Sequence, residues 1–327
     1  MAYTSTGYQA PATAREGLVP SVYDKIIRIG AEETPLMSLI GKSNVGNINH
    51  SWLIEEIEAP AKNAQLEVSD FADTTASDLQ KQTNAVQILT TNVSVSRTMK
   101  AVKTYGGKEL PRLTSKRAIK HKLDMEYALF GLGRDVNAKI SVFKAPTLRT
   151  DVVAGEMAGL GYFLSKGATT FTAGARGNVL AYDSMGDWTG TATLLDETKL
   201  HQILEPIWKK GEKPKDVFIG SALKPAINAF ASRLFGNEKS VNTSVVSVDT
   251  DFGKVNFRLH RYLSPEYGLG DALLAGNFDY AKMGLLVPTE YTPVTTSKTA
   301  EQWRYYTEGT LEVRNADAFT LAVGLKS

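Results

Sequence analysis

At 327 residues and 43% hydrophobic, the chain can bury a sizeable core, as one elaborate domain or two smaller ones, and is not disordered as a whole. Its 37 Lys and Arg nearly balance 35 Asp and Glu, and the formal net charge of +2 excludes a dedicated nucleic-acid condenser, leaving only weak, local contact with DNA. The absence of cysteine excludes disulfides, thiolate metal sites and cysteine nucleophiles.

The chain does not open on a basic cluster followed by an apolar stretch, and no uncharged apolar run approaches the ~20 residues of a bilayer span. No membrane partner and no secretion are expected, and folding should occur in a reducing cytoplasm. Residues 1–20 are rich in Ala, Thr, Gly and Pro and read as an extended arm that cannot fold alone. From Ser21 to Ile29, Val22, Ile26 and Ile29 recur at helical spacing and Gly30 supplies a stop, which predicts a short helix.

Two strand signals follow. His50 to Ile57 contains Trp52, Ile54 and Ile57; Asn84 to Arg97 contains Val86 and Ile88, then Val93 and Val95. The change from even to odd positions predicts a bulge near Leu89 to Asn92. Between them, Glu58 to Thr83 is mostly small and polar, the composition of the tip of a long projecting hairpin. Its few large apolar residues, Leu66, Val68, Phe71 and Leu79, are candidates for contacts between subunits.

Lys108 to Phe130 predicts a long helix with an apolar packing stripe at Ile119, Leu123, Tyr127 and Phe130. Lys120 with Asp124, and Lys122 with Glu126, would be exposed pairs four apart. The basic stretch Lys116, Arg117, Lys120 and Lys122 is read as a solvated helix face, with packaged DNA as the alternative partner. From about Thr150 to Val287, mixed signals predict a compact α+β domain, with helices at Lys199 to Trp208 and Lys224 to Phe235 and a buried strand at Val217 to Ile219. Leu311, Val313, Phe319, Leu321 and Val323 all occupy odd positions, so one long strand or two paired strands should close the chain and return to its first half.

Sequence motifs for chemistry do not hold up. Gly41-Lys42-Ser43 ends like a phosphate loop, but the position that needs the leading Gly holds Leu36. Asp251-Phe252-Gly253 lacks a preceding kinase catalytic loop and reads as a hairpin turn, and Asp249 and Asp251 lack the sixth-position Gly of a calcium loop, which is Lys254. Gly131 and Gly133 have no third Gly at the dinucleotide spacing and should end the long helix. His50, His121, His201 and His260 are scattered, each a surface or packing residue, and Ser184 lacks the leading Gly of a nucleophile elbow. Neither a catalytic residue nor a cofactor or metal ligand is expected.

Several strings in order carry a resemblance: Thr34-Pro35 leading to Ile40-Gly41-Lys42, the strand with His50 and Trp52, Thr250-Asp251-Phe252-Gly253-Lys254-Val255, and Glu308-Gly309-Thr310-Leu311-Glu312-Val313-Arg314-Asn315. With the element types between them, nearly the whole chain resembles the tailed-bacteriophage major capsid family with the Hong Kong 97 fold, an α+β fold. The resemblance implies an N-terminal arm (1–20), a peripheral domain beginning at 21–45, an extended loop hairpin (46–98), the rest of the peripheral domain with its spine helix (99–149), an axial domain (150–287) and returning peripheral strands (288–327). It implies a non-enzymatic, self-assembling virion shell protein that forms pentamers and hexamers of an icosahedral or prolate capsid in the host cytoplasm. Its implied partners are a scaffolding protein and portal during assembly, double-stranded DNA weakly and non-specifically at the inner face, and a possible decoration protein. The short arm behind Met1 favours a separate scaffold. Some relatives cross-link subunits covalently, and by residue type only Lys62, Asn315 and Glu312 could serve. The rival readings are an encapsulin-type compartment shell and an enzyme with a dispersed active site.

Overall fold

The computed structural model describes residues 33–58, 60, 62, 64, 67, 79–103, 107–130, 144–166, 174–176, 178–182, 192–234, 246–264 and 269–327. Helix α1 (Pro35–Leu39) starts on a proline, whose missing N–H is no loss in a first turn, and leads into strand β1 (Gly41–Asn44). Strands β2 (Asn49–Ile54) and β3 (Gln80–Ala85) pair as a hairpin, and β4 (Gln87–Ser96) follows. Ser96 caps the short α2 (Arg97–Ala101) by accepting from the Met99 N–H, and the long helix α3 (Glu109–Phe130) comes next.

The chain continues through α4 (Leu160–Leu164), β5 (Gly174–Arg176), β6 (Val179–Ala181) and β7 (Thr193–Leu194). Asp196 caps α5 (Glu197–Lys209), accepting the Lys199 N–H at 2.7 Å; β8 (Asp216–Ile219) and α6 (Lys224–Leu234) follow. A hairpin of β9 (Ser247–Thr250) and β10 (Gly253–Leu259) turns at Gly253, whose φ of +116° is open to glycine and costly for other residues. The last strands are β11 (Leu273–Gly276), β12 (Ala281–Val294), β13 (Ala300–Val313), β14 (Phe319–Val323) and β15 (Leu325–Lys326).

Two sheets organise these elements. A four-stranded sheet runs β1-β12-β13-β4, and a seven-stranded sheet runs β5-β6-β14-β11-β8-β10-β9. Helix α3 covers the first sheet against Leu89, Thr91, Val93 and Val95 of β4. Every residue of β8 is buried because both faces of its sheet are covered. Phe218 joins the core that contains Met125, Leu129 and Phe130 of α3, while Val217 and Ile219 join Leu200, Ile203, Leu204 and Ile207 of α5. The first of these cores spans both sheets.

Two of the chain's crossings between the sheets, the direct ones from β11 to β12 and from β13 to β14, use the same device. Between β11 and β12 a 3-10 turn (Phe278–Tyr280) is capped by Asn277, which accepts the Asp279 N–H; between β13 and β14 another (Ala316–Ala318) is capped by Asn315, which accepts the Asp317 N–H. The crossings lie side by side, with the Asn277 N–H donating to the Ala318 carbonyl. Gly276 permits this approach, since a Cβ there would sit 2.3 Å from the Phe319 ring.

The helices at α3, α5 and α6 and the buried strand at β8 match the sequence reading. Other expectations need correction. β4 has no bulge: its pairing with β13 is unbroken from Gln87 to Ser96. The phase changes earlier, between β3 and β4, where Ala85 and Val86 are both buried, so Leu89 and Thr91 continue the inward row and Ile88 is exposed. The register shifts lie in β12, between Leu285 and Glu290, beside Pro288, which cannot donate to a ladder.

On α3 the deepest face is His121, Met125, Glu126, Leu129 and Phe130. Phe130 is shared with the expected stripe, whereas Ile119, Leu123 and Tyr127 are only partly buried, roughly a quarter turn away. Polar side chains with partners inside occupy part of the true face, so an apolar-only pattern finds the wrong arc. Lys120 pairs with Asp124 at 2.7 Å, but Glu126 is in the core and cannot be the expected surface partner of Lys122. The strand begun at His50 ends at Ile54, and Ile57 is 94% exposed.

Residues 288–327 do not share one sheet. β13 returns to β4 of the first half, but β14 inserts between β6 and β11 of the other sheet. β4, expected within the hairpin at 46–98, is a strand of the four-stranded sheet. The arm, the helix at Ser21 to Ile29, Gly131, Gly133 and Ser184 lie outside the described residues.

Replacing Leu129, fully buried in the shared core, by Ala should destabilise the isolated subunit by about 2–5 kcal/mol in urea melting. Leu123→Ala on the partly buried flank should cost clearly less, and equal losses would contradict this placement of the buried face.

Candidate assembly surfaces and the polar junctions beneath them

The body that carries any assembly surface is tied together by buried polar side chains. Glu126, fully buried on α3, accepts the N–H groups of Leu36 and Met37, each at 2.7 Å, and bonds His260 Nε2 at 2.9 Å. His260 Nδ1 accepts the Tyr262 N–H at 3.2 Å, so its proton sits on Nε2 and is donated to Glu126. One carboxylate thus satisfies the first turn of α1 and the loop after β10 at once. Such an acid is tolerated only when its oxygens are fully engaged.

Asn84, also buried, uses all its bonding capacity. Its amide donates to the carbonyls of Ala158 and Leu311, and its oxygen accepts the N–H groups of Ala85 and Ala158. His121 bonds Thr91 through Nδ1 at 3.0 Å and Thr307 through Nε2 at 2.8 Å. The Thr307 hydroxyl donates to Thr289 Oγ1, so the neutral ring with hydrogen on Nε2 completes the chain.

The hairpin is pinned at its base. Trp52 Nε1 donates to the Val313 carbonyl at 2.9 Å and its ring meets Phe163 and His50, while His50 reaches Glu312 at 3.3 Å. Glu312 is held as well by Ser43 and Arg314. The inward row is His50, Trp52 and Ile54. The pairing of Leu53 with Lys81 puts Leu53 on the opposite row, where Leu79 also falls by strand parity, and these leucines are 63% and 59% exposed.

Of the sequence-derived contact candidates, Leu79 is therefore an exposed side chain directly before β3, and Leu66, Val68 and Phe71 lie outside the described residues. The four cations Lys116, Arg117, Lys120 and Lys122 are exposed on α3. Glu312 is occupied by three partners, and Asn315 is engaged in its cap and with Glu212, so neither waits for Lys62 in this subunit.

Sequence reading missed Glu126 and Asn84, and reduced His121 to a surface or packing residue. The missed signal for Glu126 was its spacing, three and four residues before Leu129 and Phe130. Among the described residues no group of three or more His, Cys, Asp or Glu could hold a metal ion, and no helix is long and apolar enough to cross a membrane.

Two of these groups set a pH dependence. Burial holds the His121 pKa below the ordinary 6.5, with Asp124 opposing and Lys120 assisting. A depressed histidine contributes stability above its unfolded-state value that is lost as pH falls through the folded value, so melting temperature should drop below about pH 6.5. For Glu312, burial raises the pKa, but hydrogen bonds from Arg314 and Ser43 outweigh it and the net shift is below 4.5. Its contribution is present above about pH 4.5 and is lost on further acidification. His121→Asn should flatten the melting-temperature slope between about pH 7 and 5.5, whatever its absolute stability; an unchanged slope would contradict the assignment.

Comparison with known proteins places this architecture. The fold is shared with the capsid of a native GTA particle (TM-score 0.62, 11% identity, covering 94% of this chain and 96% of that one) and with a solved structure from Gordonia phage Cozz (0.61, 10%, 95% and 92%). It is also shared with a solved structure of the gp27 major capsid proteins and gp26 decoration proteins of Phage G (0.52, 10%, 97% and 99%). A search of curated proteins finds no match. The family model for the SU10 major capsid protein matches residues 2–326, and the chain belongs to that family of tailed-phage major capsid proteins.

Proposed function

We propose that this capsid protein tiles a closed icosahedral or prolate shell as pentamers and hexamers, with the hairpin of β2 and β3 laid over a neighbouring subunit. The observation that carries this reading is the hairpin itself: fastened at its base by Trp52, it presents Leu53 and Leu79 outward. Leu66, Val68 and Phe71 farther along the same excursion are proposed to join Leu79 in that contact.

In this reading the four-stranded sheet with α3 is the peripheral domain and the seven-stranded sheet is the axial domain at the capsomer centre. The shell is a structural assembly without catalysis, built in the host cytoplasm with a scaffolding protein and a portal. Double-stranded DNA lies at its inner face, held weakly, as the near-neutral charge supports. A decoration protein accompanies the major capsid protein in the Phage G structure, and one is proposed as a possible partner here. The compartment-shell alternative is not favoured by the family match.

Replacing residues 55–79 by a short Gly and Ser turn tests the reading, because shortening a surface excursion changes closure entropy only slightly. Circular dichroism and melting of the isolated variant should match the parent, while electron microscopy should show no shells or fragile ones. Normal, stable shells would refute the hairpin's role, and loss of the fold would put the segment in the core.

A further inference from the structure

Helix α3 carries an apolar flank beside its deep face. Leu123 and Tyr127 are partly buried there, and at Leu123 the flank opens into a groove of about 200 Å³ walled by Pro35, Leu259 and Tyr262 and reaching His260. The walls are preformed: the Tyr262 hydroxyl donates to the Leu123 carbonyl at 3.0 Å, and its ring meets Tyr127 edge-on with centroids 5.5 Å apart. Leu259, at the end of β10, is 56% exposed.

What can fill this groove is set by where the chain enters it. Glu33 lines the groove, and the turn that follows is fixed in place because Glu126 holds the Leu36 and Met37 N–H groups. Residues 1–32 therefore join the described body at the groove itself. Four residues span at most about 14 Å, so Ile29 lies within that distance of Glu33. Ile26 precedes Ile29 by three and Val22 precedes Ile26 by four, the spacing of one helix face, and Gly30 suits the turn toward Glu33. Asp24 and Arg28 fall on the opposite face. An apolar cavity of about 150 Å³ holds a group the size of benzene, so this groove has room for branched aliphatic side chains.

We propose that Ile26 and Ile29 seat in this groove of their own subunit, docking the segment before Glu33 on the flank of α3. The short tether holds these side chains at an effective concentration on the order of millimolar or more, so a modest apolar contact is populated ahead of the same segment from a second copy. The docked segment fixes the place from which residues 1–20 leave the body. It also gives a use to Leu123 and Tyr127, which belong to an apolar stripe on α3 without entering the deep core. The docking is independent of the shell-forming reading, since it completes a single subunit.

Hydrogen exchange of the isolated full-length subunit should show the amides of residues 23–29 slowed by about tenfold or more relative to an unprotected segment. Leu259→Asp, at a position more than half exposed, should remove that protection while circular dichroism and the exchange of β8 stay as in the parent. The chain has no cysteine, so two pairs can be compared. A short bismaleimide should join Ile26→Cys to Leu259→Cys at least about tenfold faster than Arg28→Cys to Leu259→Cys, which shares the tether but lies on the opposite face. In mixtures of 14N and 15N subunits these links should stay within one copy. Fast exchange over residues 23–29 in the parent, or protection that survives Leu259→Asp with the fold intact, overturns the proposal. So do equal rates for the two pairs, or links between isotopically different copies, which would make the occupant a second copy's segment. Should Leu259→Asp fail to fold, the two cysteine pairs decide.

Discussion

The buried carboxylate of Glu126 constrains the rest of the structure. An acid at the centre of a core is strongly unfavourable unless each oxygen is bonded. Here the donors come from α1 and from His260, segments far from α3 in sequence. The carboxylate is satisfied only when the helix, the start of the described chain and the end of β10 in the seven-stranded sheet are assembled together. Packing of Phe130 against His260, with ring centroids 4.3 Å apart, makes the same junction apolar on its other side. The two sheets are therefore parts of one cooperative body.

The double crossing reinforces that unity. Because β11 to β12 and β13 to β14 pass between the sheets side by side, each capped by an Asn followed two residues later by an Asp, neither sheet can separate without breaking both. A subunit that must fit many similar environments in a shell gains from a stiff body, with adaptable contacts at its margins. In the proposed assembly the hairpin of β2 and β3 is such a margin: the described residues between Ile54 and β3 are exposed, and Trp52 anchors its base to the body. If the hairpin makes the contacts between copies as proposed, folding and assembly draw on different residues.

Much of the fold was legible in the sequence because its signals are local. α3, α5 and α6 show helical periodicity, β8 is a short continuous apolar run, and the Asp251-Phe252-Gly253 turn uses a glycine for a positive φ. What was not legible depends on distant partners. Glu126 looks like a surface acid four residues after Lys122 until Leu36, Met37 and His260 are brought to it. Ile88 looks like a core residue until the break at Val86 resets the alternation. Phe319, Leu321 and Val323 continue the parity of Leu311 and Val313, yet the 3-10 turn at Ala316–Ala318 sends them into the other sheet, a topological fact that no local pattern carries. The candidate contact surface was read from composition alone, and of its four residues the structure describes Leu79, which is exposed.

The most direct test of the account is an electron cryomicroscopy reconstruction of particles assembled from the purified chain, with scaffolding protein if needed. The account predicts a closed shell whose subunits keep the two-sheet body, with the Glu126 and His121 junctions intact and the contacts between copies made by the hairpin and the outer surfaces. Subunits whose sheets have separated or repacked around a broken Glu126 junction, or a protein that remains monomeric under every condition, would contradict it.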